Sequence, residues 1–144
     1  MSFTKTFLTG VATHMAANGI GVFNPTGIYT PTQNGIVFSL VPQDPPRVIT
    51  LTAYDVDHDP DQSDTTLGLQ VRIRGTEDPT VAEDQADQLF DLFHGAHNYD
   101  LPSGTTVVQS SSRTRVSGGQ DENRRWSTIQ NFYFDLWRPS PHRP

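Results

Sequence analysis

The chain has no cysteine, which removes disulfides and thiolate metal sites from consideration. It also lacks a long apolar run. Nothing approaches the roughly 20 apolar residues that a membrane helix needs. The nearest thing to a leader is "FLTGVA" and "MAA" after Lys5; it is broken by Thr9, followed by His14, and too short for a signal peptide's apolar region, so the chain reads as soluble and unprocessed. Basic side chains are scarce as well: ten Lys and Arg stand against 16 Asp and Glu, a net charge of −6. Such a chain has no basic footprint with which to displace counterions from nucleic acid. No G-x-S-x-G elbow is present, and "SGTTVV" and "VSGGQ" lack the strand–loop–helix order of a phosphate loop. The residues point away from an enzyme, and no cofactor is called for.

What is present suits one modest domain. Hydrophobic residues make up 34%, aromatics 10%, and eleven Gly with eleven Pro imply many turns. The charge is segregated along the chain. Residues 1–54 carry Lys5 and Arg47 against Asp44, whereas residues 55–104 carry twelve acids against Arg72 and Arg74. Residues 105–144 reverse this, with six Arg against Asp121, Glu122 and Asp135. Such an arrangement lets the acidic part of one protomer face the basic part of a neighbour.

The densest acidic stretch is "DVDHDPDQSD", with Asp55, Asp57, Asp59, Asp61 and Asp64. An EF-hand loop needs Gly at position 6 and Glu at position 12. Counted from Asp55 those places hold Pro60 and Thr66, and from Asp57 they hold Gln62 and Gly68, so both registers fail. The stretch reads as an exposed hairpin loop whose acids discourage edge-to-edge sticking, with a small calcium-binding module as the remote alternative. "HGAH" places His94 and His97 just past a helix end, where an imidazole suits the macrodipole, and no third ligand stands at a zinc spacing. Asp121 and Glu122 beside Arg124 and Arg125 read as a charged hairpin tip.

Phe3, Phe7, Leu8, Val11 and Met15 form a helical stripe that Asn18-Gly19 ends, with Gly10 a weak point inside it. "IVFSLVP" (36–42), "RVITLTAY" (47–54) and "LGLQVRIRG" (67–75) are strand-like. In the last, Leu69, Val71 and Ile73 alternate with Gln70, Arg72 and Arg74, which are expected to face outward. A second helix starts at Asp78 as N-cap with Pro79 in the first position; Val81, Ala82, Ala86, Leu89, Phe90 and Phe93 form its buried stripe, and Gly95 closes it. "HNYDLPSG" reads as a connection. "TTVVQSSSRTR" reads as an edge strand or an extended arm, and "RWSTIQNFYFDLW" as a strong strand. That strand sets Phe132, Phe134 and Leu136 on one face and Ile129, Tyr133 and Trp137 on the other, an apolar surplus that fits a subunit interface. The order predicts an α+β fold: a mixed, mainly antiparallel sheet of about four to five strands with two main helices packed on one face. One domain spans 1–137, and the Pro-rich residues 138–144 form an extended tail.

Several of these stretches, taken in order, resemble the tail terminator proteins of long-tailed bacteriophages, a family also labelled phage minor capsid protein. They are "ANGIGVFNPTGIYT", "NGIVFSLVPQDPPRVITLTAYDVD", "LGLQVRIRGTEDP" leading into "VAEDQADQLFDLFHG", and "GGQDENRRWSTIQNFYFDLW". The resemblance covers roughly 3–137, and its weight lies in number, order and spacing, since none of the stretches is a catalytic signature. It implies an α+β fold and a structural virion protein of siphovirus tails. Such proteins form a hexameric ring, a homo-oligomer that caps the head-proximal end of the tail tube and stops its polymerisation. The ring meets the tail tube protein on one side and the head–tail connector and neck proteins on the other, at the tail–neck junction. Genome DNA transits the lumen without specific binding, and no membrane is involved. A neck or head-closure ring protein is the alternative within the same assembly. Arg72, Arg74, Arg124, Arg125, Ile129, Tyr133 and Trp137 are the candidate interface residues, with the arginines meeting acids of a neighbour's middle segment.

Overall fold

The computed structural model describes residues 2–143. Helix α1 (Phe3–Ala17) starts where the Ser2 hydroxyl accepts the Lys5 N–H at 3.1 Å, and it ends at Asn18 as its sequence predicts. Six strands follow: β1 (Gly35–Phe38), β2 (Val48–His58) and β3 (Asp64–Arg74), then β4 (His97–Asp100), β5 (Thr106–Gln120) and β6 (Trp126–Trp137). Helix α2 (Pro79–Phe93) lies between β3 and β4, capped by the Asp78 carboxylate accepting from Thr80 N–H at 2.9 Å. The strands form one mixed sheet in the order β1-β2-β3-β6-β5-β4. Among the described strands β1 and β2 pair in parallel and the other pairs are antiparallel. Since β1 has four residues, the chain doubles back only about 13 Å before β2, so no crossover helix is needed.

Both helices cover the same sheet face. Phe7 of α1 meets Phe134 edge-on at 5.1 Å, and Phe93 of α2 meets Phe132 and Phe134 edge-on at 5.7 and 5.2 Å. Ile49, Leu51, Leu69, Val71, Ile73 and Leu136 complete this core, all fully buried. Removing such side chains from water is the main stabilising term, on the order of 2 kcal/mol each.

The sheet has six strands where about four to five were expected, and the two surprises adjoin. "HNYDLPSG" contains β4, a short, polar edge strand with no period to read. The stretch expected as an edge or arm is the first part of β5, which pairs with β6 throughout and with β4 over Thr106–Gln109. Its apolar alternation is hidden for two reasons. Ser110 takes a fully buried place by donating its hydroxyl to the Phe93 carbonyl at 2.7 Å. Register shifts at 107/109, 112/114 and 117/119 then reset which residues point inward. On α2 the buried stripe is Ala82, Ala86, Leu89 and Phe93; Phe90 is 41% exposed and stacks on His94 at 4.6 Å. Strands β2 and β3 run further than expected, so Asp55 and Asp57 belong to β2 and Asp64 begins β3.

Candidate partner interface

The sheet face opposite the helices is set by alternation in β3 and β6, and its rows can be read across the strands from their pairing. One row is Thr50, Arg72, Ile129 and Val116; the next is Thr52, Gln70, Asn131 and Thr114; the next is Tyr54, Gly68, Tyr133 and Ser111. Ile129, Tyr133 and Trp137 therefore share one face, as their spacing in β6 predicts. Trp137 is 50% exposed and Val116 55%, while Ile129 and Tyr133 are half-buried by their neighbours. The face is not a continuous apolar stripe. Asn131 separates Ile129 from Tyr133, and Asp135, which accepts the Thr66 hydroxyl at 2.6 Å, separates Tyr133 from Trp137.

Polar contacts organise the middle of this face. The Tyr54 hydroxyl donates to Asn131 Oδ1 at 2.9 Å, and Asn131 Nδ2 donates to Thr114 Oγ1 at 3.1 Å. The Tyr54 ring lies flat over Gly68, where a Cβ would collide with it: Cδ2 would be 2.7 Å away, with Cε2 and Cζ nearer still. Burial, then the neighbouring Tyr133, raises the Tyr54 pKa above its ordinary value. The Arg113 guanidinium covers the Tyr133 ring at 4.8 Å.

The four candidate arginines divide into two pairs. Arg72 is half-buried on this face opposite Ile129, and Arg124 projects from the β5–β6 turn; neither forms an ion pair among the described residues. Arg74, expected to face outward, is only 5% exposed. Its guanidinium donates to three carbonyls of the loop before β2: Pro46 at 2.8 Å, Pro45 at 2.8 Å and Gln43 at 3.1 Å. Burial, then the nearby Arg125, pulls its pKa below the usual guanidinium value, while Asp121 and Asp44 act the other way. Arg125 is likewise engaged, its Nε donating to Asp121 at 2.8 Å. Burial works to raise the Asp121 pKa, but hydrogen bonds from the Arg125 and Asn123 N–H groups and the Arg125 side chain outweigh it, and the net shift is downward. Arg74 and Arg125 thus shape one end of the sheet and line an open groove of about 420 Å³ there. Arg72 and Arg124 keep their charge available.

The acidic hairpin occupies the other end. Asp59 Oδ1 accepts the N–H groups of Asp61 at 2.8 Å and Gln62 at 3.2 Å, which closes the turn. Asp55 lies 3.5 Å from His58, and Asp57, Asp61 and Asp64 are exposed. The 11 residues of β3 put about 33 Å between this tip and the Arg74 end. The acids of the hairpin and the four candidate arginines therefore do not meet within one chain. Among the described residues, no group of three or more His, Asp or Glu is placed to hold a metal ion, and no helix is long and apolar enough to cross a membrane.

Sequence reasoning missed Arg115. This side chain reaches from β5 to α2, donating to Asp87 at 2.6 Å and to Glu83 at 2.5 Å, while Glu83 also accepts the Thr128 hydroxyl at 2.9 Å. No local signal could have paired residues 28 and 32 positions apart. His94 was expected only to suit its helix end; its Nδ1 also accepts the Ser112 N–H at 3.0 Å where β5 leaves β4.

The molecule thus has a broad sheet face left uncovered by its helices, an acidic end and an arginine-bearing end. Among solved structures, one whose name states no activity aligns over 95% of both chains with a TM-score of 0.51 and 13% identity, a likeness of fold alone. No curated protein matches. A family model described as bacteriophage tail terminator protein matches residues 14–136, from the last turn of α1 through β6. With most of its length matched, including every strand of the sheet, the chain belongs to the bacteriophage tail terminator proteins, a structural family of the phage virion.

Proposed function

We propose that copies of this protein associate head to tail into a hexameric ring that caps the head-proximal end of the tail tube, ends tube polymerisation and joins the tail to the neck. The observation that carries this reading is the sheet face left uncovered by the helices, with the acidic hairpin at one end and Arg72 and Arg124, unpaired among the described residues, toward the other. A contact between unlike surfaces is the kind that closes a ring, and unlike ends of one chain supply it. Ile129, Tyr133 and Trp137 would form its apolar part. Arg72 and Arg124 would meet carboxylates of a neighbour's Asp55–Asp64 hairpin, with Arg74 and Arg125 holding the arginine end in shape. The tail tube protein and the neck proteins would take the two rims, and DNA would cross the lumen without being bound.

The test is the light-scattering mass of the wild type and of a Tyr133→Ser, Trp137→Ser variant, each alone and with purified tail tubes. The wild type is expected near six times the 16.0 kDa protomer mass, free or on tube ends. The variant, shown to be folded by its circular dichroism melt, is expected to lose that species. An intact ring in the variant would remove the sheet face from the interface. A wild type that neither oligomerises nor binds tube ends would defeat the ring itself.

A further inference from the structure

The residues after β6, expected to be extended, turn back instead. Ser140 and Arg143 exchange backbone hydrogen bonds at 3.0 and 3.1 Å, which closes a tight turn through Pro141 and His142. This places the Arg143 guanidinium against the β2–β3 hairpin. Its Nη1 donates to the carbonyls of Asp59 at 2.8 Å and Gln62 at 3.0 Å, and its Nη2 to the carbonyl of Arg138 at 2.8 Å. The Arg138 N–H adds a bond to the Ser63 carbonyl at 2.7 Å. At its near end the segment is anchored to α1, because the Arg138 guanidinium covers the Phe3 ring at 4.5 Å.

We propose that residues 138–143 are a strap that fixes the acidic hairpin in one posture, with Arg143 as the residue that closes it. The chemistry favours this role over incidental contact. Asp59 and Gln62 stand on either side of the turn, and their carbonyls point out of it without strand partners. A planar guanidinium sets two nitrogens in a fixed fork, so that Nη1 holds both hairpin carbonyls while Nη2 holds the Arg138 carbonyl, a three-point contact that an ammonium's single nitrogen does not reproduce. The tip is closed from within by the Asp59 N–H to Asp64 carbonyl bond at 3.2 Å and by two N–H groups on the Asp59 carboxylate, to which Arg143 adds bonds to the Asp59 and Gln62 carbonyls. Pro139 and Pro141 restrict the strap itself, so less freedom is lost when it closes. The β2 and β3 ladders end at His58 and Asp64, so the tip between them, with carboxylates crowded in and around it, has only its turn contacts and the strap to hold it. This inference concerns the chain's own order and stands apart from the ring reading.

The experiment is amide hydrogen exchange, read by mass spectrometry, on the full chain and on Arg143→Ala and Arg143→Lys variants. Arg143→Ala is expected to speed exchange in peptides covering 59–65 by about tenfold while peptides covering 69–73 keep their protection. Arg143→Lys is expected to behave like Arg143→Ala. Unchanged exchange at 59–65 in Arg143→Ala would overturn the strap. So would an equal acceleration in 69–73, which would make Arg143 a support of the whole fold. Full protection in Arg143→Lys would show that charge alone holds the hairpin, and would overturn the role given to the guanidinium.

Discussion

Gly10 lies in the interior of α1, where Ala would ordinarily gain about 1 kcal/mol of helix propensity. Its surroundings decide the matter the other way. A Cβ there would stand 2.8 Å from Leu101 Cβ and would collide with the Ser103 hydroxyl, which donates to the Thr6 carbonyl at 2.6 Å. The apparent weak point of the helix is the place where the loop after β4 comes closest to it. Gly10→Ala is therefore expected to destabilise the protein by about 1–3 kcal/mol in urea unfolding, since overpacking and a displaced hydrogen bond outweigh propensity. A gain in stability would mean that the 101–105 loop shifts aside freely. Arg74 carries the same lesson for charge: the sequence marks it as outward on an alternating strand, which is correct for the sheet, yet the loop before β2 folds over that end and buries it.

At the scale of elements, legibility followed local pattern. The boundaries of α2 were readable because Asp78 and Pro79 act within one turn, and the inward residues of β3 and β6 because unbroken alternation survives in them. Helix α2 is held to the sheet by two unlike contacts. Its C-terminal half rests on aromatic rings, and its N-terminal half on the Arg115, Glu83 and Asp87 cluster. Those groups remain partly exposed, so solvent screens them. Arg115→Met, which keeps most of the stem, is expected to cost about 1–2 kcal/mol at low ionic strength. The loss should shrink in about 1 M salt, where the Debye length falls to about 3 Å. Urea titrations of both proteins at both salt concentrations check this; a loss independent of salt would assign the effect to packing.

For the whole molecule, the pH dependence of stability should report the site where α1, α2 and β4 converge. His14 lies there, its ring 5.9 Å from that of Phe93 and 6.1 Å from that of Tyr99, and burial lowers its pKa. His97 and Asp100 line the same groove. Because the folded state resists protonation of His14 more than the unfolded chain does, the stabilisation is complete above the unfolded value of about 6.5 and is lost as pH falls through it. The melting temperature is expected to drop between about pH 7.5 and pH 5.5, and to drop less in His14→Gln. Equal drops would place the titration elsewhere.

Legible along the chain were the class of the fold, the two helices, the faces of the strongest strands, the acidic hairpin between β2 and β3, and membership of the tail terminator family. Each of these rests on spacing within a few residues or on the order of stretches along the chain. That β4 and β5 complete the sheet, that Arg74 is internal, that Arg115 clamps α2, and that Arg143 reaches back 84 residues to Asp59 emerges once the chain is folded. Strands β4 and β5 were masked by polar composition and register shifts, whereas one physical reason covers the three arginines. Their partners are main-chain carbonyls or side chains far away in sequence, and such acceptors exist only once the sheet has brought them within about 3 Å of a donor.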